Sequence, residues 1–137
     1  MTEDGIKLLK KHEGLMLKPY RCSAGKLSIG YGRNLDDVGI SKEEAEHLLR
    51  NDIDNCVKQL KHHLFWVFDH SNTVQDIIIN MCFNLGIYRL LGFKKTLKLI
   101  EEGKYKQASI EMLDSNWAKQ VGIRAKELSN LLAKEET

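Results

Sequence analysis

The sequence predicts an α+β fold that is mostly α, and three observations carry that prediction. Apolar residues recur at helical spacing in several separate segments, each bounded by a capping residue or a glycine. Between His12 and Asn34 the pattern changes to an extended run behind Pro19, a turn at Ser23-Ala24-Gly25-Lys26, and a strand over Leu27 to Tyr31. The 137 residues contain no internal repeat and no low-complexity linker, so one domain with one real core is expected.

The elements follow in order. Glu3 to His12 reads as a helix with Ile6, Leu8 and Leu9 on its apolar face. Gly14 ends it and places Glu13 at the helix terminus. Leu35 to Ile40 is a connecting loop. Ser41-Lys42-Glu43-Glu44 fits a capping box, and a long helix should run from there to about His62. Its stripe is Ala45, Leu48, Leu49, Asp52, Ile53, Cys56, Val57 and Leu60. Leu64 to Phe68 is a dense apolar cluster suited to opening a second core. Ser71, Asn72 or Thr73 can cap a helix carrying Val74, Ile77, Ile78, Met81, Cys82 and Leu85, with Gly86 at its end. Helical segments over Phe93 to Glu102 and Tyr105 to Asp114 meet at Gly103. A turn around Asn116-Trp117 leads to a last helix from Ile123 to Lys134.

Composition narrows the function. A net charge of +2 lacks the concentrated basic face that duplex nucleic acid requires, so no nucleic-acid partner is expected. The longest apolar run, Ile77-Ile78-Ile79, is far too short to span a bilayer, and the first residues carry no hydrophobic signal region. Stable membrane insertion is therefore not expected, and the chain should stay in the cytoplasm where it is made unless something releases it. Three cysteines at wide spacings do not make a disulfide framework. Cys56 and Cys82 read as reduced, buried thiols. His12-Glu13-Gly14-Leu15-Met16 nearly spells a zinc-protease helix, but Met16 holds the place of the second histidine. The other histidines have no spaced partner, so no metal is expected, and nothing in the sequence implies an organic cofactor.

The chemistry concentrates between Glu13 and Arg33. Glu13 and Cys22 have eight residues between them, Cys22 and Ser28 have five, and Ile29-Gly30-Tyr31-Gly32 follows directly. Further on stand Asn80-Met81-Cys82-Phe83-Asn84-Leu85-Gly86, then Trp117, then Gly122-Ile123-Arg124-Ala125. Together these residues resemble the phage-type lysozymes (glycoside hydrolase family 24), the bacteriophage endolysins that cut the glycan strands of peptidoglycan. The resemblance covers nearly the whole chain. Cys22 stands where the commonest pattern has Asp, and Ser28 where it has Thr.

The resemblance implies a lysozyme-like fold in a single domain, 1–137. A small hairpin lobe would span roughly 13–40 and a linking helix roughly 41–62. A helical lobe of roughly 63–137 would be joined by the N-terminal helix. It implies hydrolysis of the β-1,4 bond between N-acetylmuramic acid and N-acetylglucosamine, with lysis of a bacterial host. Glu13 would be the general acid, and Leu9 and Leu15 beside it would shelter the carboxyl and favour its protonated form. Cys22 and Ser28 would serve the opposite face of the sugar. Tyr20, Tyr31 and Gly32 would line the sugar groove, while Trp117 is better placed in the core. Arg33 would form a structural ion pair with Asp52. The enzyme would act as a monomer on peptidoglycan after a separate membrane-permeabilising protein releases it from the host cytoplasm. Two rivals stand beside this: a lytic transglycosylase giving anhydro-muramic products, and a peptidoglycan-binding module whose active site has decayed.

Overall fold

A computed structural model describes all residues, 1–137. The chain divides into two compact units, Met1–Leu48 and Leu49–Thr137. The first begins with α1, Glu3–Glu13, capped by the Thr2 hydroxyl, which accepts from the Gly5 N–H at 3.1 Å. Strands β1 (Met16–Arg21), β2 (Leu27–Gly30) and β3 (Arg33–Asn34) follow as an antiparallel sheet in sequential order. The β1–β2 register slips between Met16 and Tyr20. Pro19, which has no N–H for a ladder, lies in that irregular stretch. Beyond it Tyr20 pairs with Ser28 and Arg21 with Leu27.

Helix α2, Lys42–His63, starts in the first unit and ends in the second. Its capping box is formed as the sequence predicts. The Ser41 hydroxyl accepts from the Glu44 N–H at 3.1 Å, and the Glu44 carboxylate accepts from the Ser41 N–H at 2.9 Å. The second unit continues with a 3-10 turn over Phe65–Asp69 and helices α3 (Asn72–Leu85), α4 (Ile87–Leu91), α5 (Lys94–Glu101), α6 (Tyr105–Leu113), α7 (Asn116–Val121) and α8 (Ile123–Lys134). Ser71 caps α3, accepting from the Val74 N–H at 3.3 Å.

The two units are held by different forces. Every buried apolar side chain belongs to the second, where Leu60, Val67, Val74, Ile78, Leu90, Ile100, Met112 and Leu132 are fully enclosed. In the first unit only Ser28 is buried. Ile6, Leu8 and Leu9, predicted as a buried face of α1, are not buried, and of the α2 stripe only Cys56 and Leu60 are. A short helix and a small sheet enclose too little volume for a core of their own. Strand pairing and polar side-chain contacts hold them instead.

Two details, helix α4 and the setting of Trp117, depart from the sequence prediction. The Leu64 to Phe68 cluster does open the second core: Val67 is buried, Leu64, Trp66 and Phe68 pack against the core, and the 3-10 turn over Phe65–Asp69 leaves Phe65 exposed. In such a turn residues three apart share a side, and the Phe65 ring indeed meets Phe68 at 6.5 Å. Helix α4 was not foreseen, being a single turn or so between two glycines. Trp117 sits on the short helix α7 and not in a turn, and it is core, 3 % exposed.

The spaced motifs of the second half meet in space. Trp117 donates its indole N–H to Asn84 Oδ1 at 2.7 Å and stacks edge-on against Phe93. Arg124 donates Nε–H to Asn80 Oδ1 at 2.9 Å. Trp117→Phe should keep part of the packing and lose the hydrogen bond to Asn84, costing about 1–3 kcal/mol. Trp117→Ala should cost about 3–5 kcal/mol through the cavity it leaves. Urea unfolding of the two variants checks this ranking, and equal losses would show that the hydrogen bond outweighs the packing.

Candidate active site

Glu13 is the last residue of α1. Gly14 turns the chain out of the helix with φ +72°, a conformation that L side chains rarely adopt, and its N–H closes on the Lys10 carbonyl at 2.8 Å. The Glu13 carboxylate lies against Gly32. A Cβ at position 32 would fall 2.5 Å from Glu13 Oε2, and Gly32 itself has φ +74°. The glycine foreseen as a sugar contact is therefore also the seat of the carboxylate. The apolar shelter expected around it is not formed within this unit, since Glu13, Leu9 and Leu15 are all exposed.

Cys22 begins the turn between β1 and β2. Its N–H donates to the Lys26 carbonyl at 2.9 Å, and its carbonyl accepts from the Gly25 N–H at 2.8 Å. The thiol is held below its ordinary pKa by backbone hydrogen bonds from Lys26 and Ala24, and further by the Ser28 hydroxyl, with partial burial opposing. Peptide dipoles do this, not the nearby cations. Arg21 reaches away to the Gly25 carbonyl at 3.2 Å and to Asp36 at 3.8 Å, and Lys26 pairs with Asp37 at 3.1 Å. Ser28 is 3 % exposed and donates to the Lys26 carbonyl at 3.3 Å. Cys22 and Ser28 thus lie on the β1–β2 hairpin, and Glu13 meets the next turn of the same sheet, between β2 and β3, at Gly32.

Of the expected groove residues, Tyr20 is half-buried opposite Ser28 and Tyr31 is exposed, with the Lys10 ammonium 5.4 Å from its ring centre. Arg33, expected to pair with Asp52, engages Glu44 instead. Nη1 and Nη2 donate to the two carboxylate oxygens at 2.9 and 2.7 Å, and Nη1 also donates to the Gly39 carbonyl at 2.9 Å. Asp52 is exposed and belongs to the other unit. The sequence signal for Glu44 was its place in the capping box, which says nothing of its second oxygen. Asp36 was also missed. It accepts from the Leu27 N–H at 2.8 Å, tying the loop after β3 to the start of β2. No three His, Cys, Asp or Glu side chains gather into a metal-binding set.

Comparison with known proteins decides the family. The phage lysozyme family profile matches residues 10–136, which include every candidate residue above.

The chain belongs to the phage lysozyme family.

With it comes membership of the lysozyme-type glycoside hydrolases. The chain is similar to the endolysin of Acyrthosiphon pisum secondary endosymbiont phage 1, at 34 % identity over 90 % of this chain and 85 % of that one. It is 28 % identical to the probable T4-type lysozyme 1 of Dictyostelium discoideum, over 91 % of each. The endolysin of Bacillus phage B103 is 31 % identical over 85 % of this chain, which spans 45 % of that longer protein. No helix of this chain is long and apolar enough to cross a membrane.

Two predictions follow from this geometry. Gly32→Ala places a methyl group on Glu13 Oε2 at a strained positive φ. It should destabilise the unit by about 1–2 kcal/mol and displace the carboxylate, as urea unfolding and the Glu13 side-chain NMR signals would report. The second concerns acid. Arg33 donation, then the Ser41 N–H, hold the Glu44 carboxyl down at about 2. A depressed folded value means the pair stabilises the fold above the ordinary glutamate range and loses that contribution as pH falls from about 4.5 through about 2. Both side chains are more than a third exposed or close to it, so solvent screens the effect. The gap in urea midpoint between wild type and Glu44→Gln should be constant near neutrality and close over that acid window.

Proposed function

We propose that this lysozyme hydrolyses the β-1,4 bond between N-acetylmuramic acid and N-acetylglucosamine, with Glu13 as general acid and Cys22 and Ser28 acting from the opposite face of the sugar. The observation that carries the reading is the shared frame: one small sheet carries Cys22 at the β1–β2 turn and Ser28 on β2, and its β2–β3 turn supplies the glycine on which the Glu13 carboxylate rests. A glycosidase needs a proton donor for the leaving oxygen and a group that handles the attacking water or the sugar carbon. A sugar chain laid over exposed Glu13 would withdraw the carboxyl from water and set it beside the leaving oxygen. The Ser28 hydroxyl, which donates to the Lys26 carbonyl, keeps lone pairs that can accept from a water and so help hold it below the ring. The neighbouring thiol helps orient that water. Tyr20 and Tyr31 offer aromatic surface to the sugars.

The names of the relatives, endolysin among them, support a role in lysing a bacterial host. In this reading the enzyme is a monomer that waits in the host cytoplasm until another phage protein opens the membrane. It then acts on the wall.

Glu13→Gln should fold and bind peptidoglycan but lose at least about 100-fold in turnover, because an amide cannot donate the acid proton. Isolated peptidoglycan digested beside a thermal melt checks this, and a folded, active Gln variant removes Glu13 from the role. Mass spectrometry of the digest separates hydrolysis from transglycosylation, whose anhydro products are lighter by one water. Wall binding without any cleavage would mark a decayed site. Cys22→Asp should remain active and Cys22→Ser partly so. A bulky thiol reagent should inactivate only chains with Cys22, since Cys56 and Cys82 are buried. A trapped glycosyl–Cys22 adduct would make the thiol a nucleophile instead.

A further inference from the structure

Glu44 has a larger task than capping a helix. Its carboxylate takes the Arg33 guanidinium in a two-point fork, at 2.9 and 2.7 Å, while accepting from the Ser41 N–H at 2.9 Å. It therefore joins strand β3 to the first turn of α2. Arg33 also fastens the loop between them, through the Gly39 carbonyl. The backbone so fixed is the one that matters to the site. Arg33 pairs with Ile29 and Asn34 with Ser28 across β2–β3, and the residue before Arg33 is Gly32, the seat of Glu13. The first unit buries no apolar side chain, so nothing like a packed core can fix this backbone instead. From the other side, α1 meets the same turn through Glu13 at Gly32 and through the exposed Lys10 ammonium over the Tyr31 ring.

We propose that Glu44 is a positioning residue for the reaction, acting through the Arg33 fork to hold the β3 backbone on which both Glu13 and the Ser28 strand depend. This rests on the assignment of Glu13 as the acid. A fork fixes direction as well as distance, which a lysine point charge does not. Proton transfer is steep in geometry, and a displacement of about 1 Å can cost about 100-fold.

The test uses soluble glycan strands of alternating N-acetylglucosamine and N-acetylmuramic acid. Glu44→Gln keeps the backbone N–H that Ser41 caps, so α2 still starts, but it loses the charge and half the fork. Its kcat per folded molecule should fall about tenfold with KM within about twofold, the signature of a lost transition-state interaction. Arg33→Lys, which keeps the charge, should give a similar fall, and the double variant should be no worse than either alone. A second readout is independent of turnover. In the wild type the Gly32 amide signal should follow Glu13 ionisation, with Glu13→Gln as the control that abolishes the response. In Glu44→Gln and Arg33→Lys the amplitude should drop by at least half.

Variants that melt earlier but keep kcat, KM and the Gly32 response would overturn the proposal and leave the pair merely structural. A rise confined to KM would also overturn it, placing the pair in sugar binding. If the wild type does not cleave glycan at all, the assignment of Glu13 fails, while the Gly32 response still decides whether Glu44 governs that contact.

Discussion

Glu13 rests on the bare Cα of Gly32, and the first unit is arranged to make that contact possible. Gly14 releases the chain from α1 just after the acid, and the hairpin returns to present a residue without a side chain. The frame around it is polar. Asp36 accepts from the Leu27 N–H, Lys26 meets Asp37, and Arg33 bridges Gly39 and Glu44. Such contacts are directional and individually weak, so they set geometry more than stability. The second unit is the reverse case, a continuous apolar core from Leu60 to Leu132. A local opening of the hairpin should therefore cost less than an opening of the helical unit.

The fold class and most element positions were legible because helix starts and stops leave local marks. Ser41 with Glu44, Ser71, Gly14 and Gly86 each act within a few residues of themselves, and each does in the structure what its type suggests. Burial was less legible. Ile6 and Leu9 have the right spacing for a buried face, but spacing does not reveal whether a neighbouring element has the volume to cover them. Helix α4 escaped because five residues give no periodicity to read.

The site was legible in composition and not in its partners. Cys22 and Ser28 fall on one hairpin and Glu13 at the end of α1, as the sequence suggests, yet the thiol is influenced by backbone N–H groups that no side-chain inventory records. Arg33 could be seen to need an acid. Several acids lie in reach along the chain, and choosing Glu44 over Asp52 takes the turn from β3 into α2, which is a matter of three dimensions. The same holds for Asn80 with Arg124 and Asn84 with Trp117, residues far apart in sequence whose hydrogen bonds join α3 to α8 and to α7.

The last residues of the chain do more than trail from α8. Glu135 accepts from the Ser71 hydroxyl at the start of α3, and Glu136 accepts from the Lys106 N–H in the first turn of α6 at 3.1 Å. One carboxylate thus caps α6 directly and the other holds the Ser71 hydroxyl that caps α3, and both complement the helix dipoles. Tyr105 registers the arrangement, its phenol pushed up by burial and by Glu135 while it bonds His70 at 2.6 Å. Two adjacent glutamates thus gather the starts of α3 and α6 to the end of α8, so a substitution or an insertion at that one point would loosen three helices together.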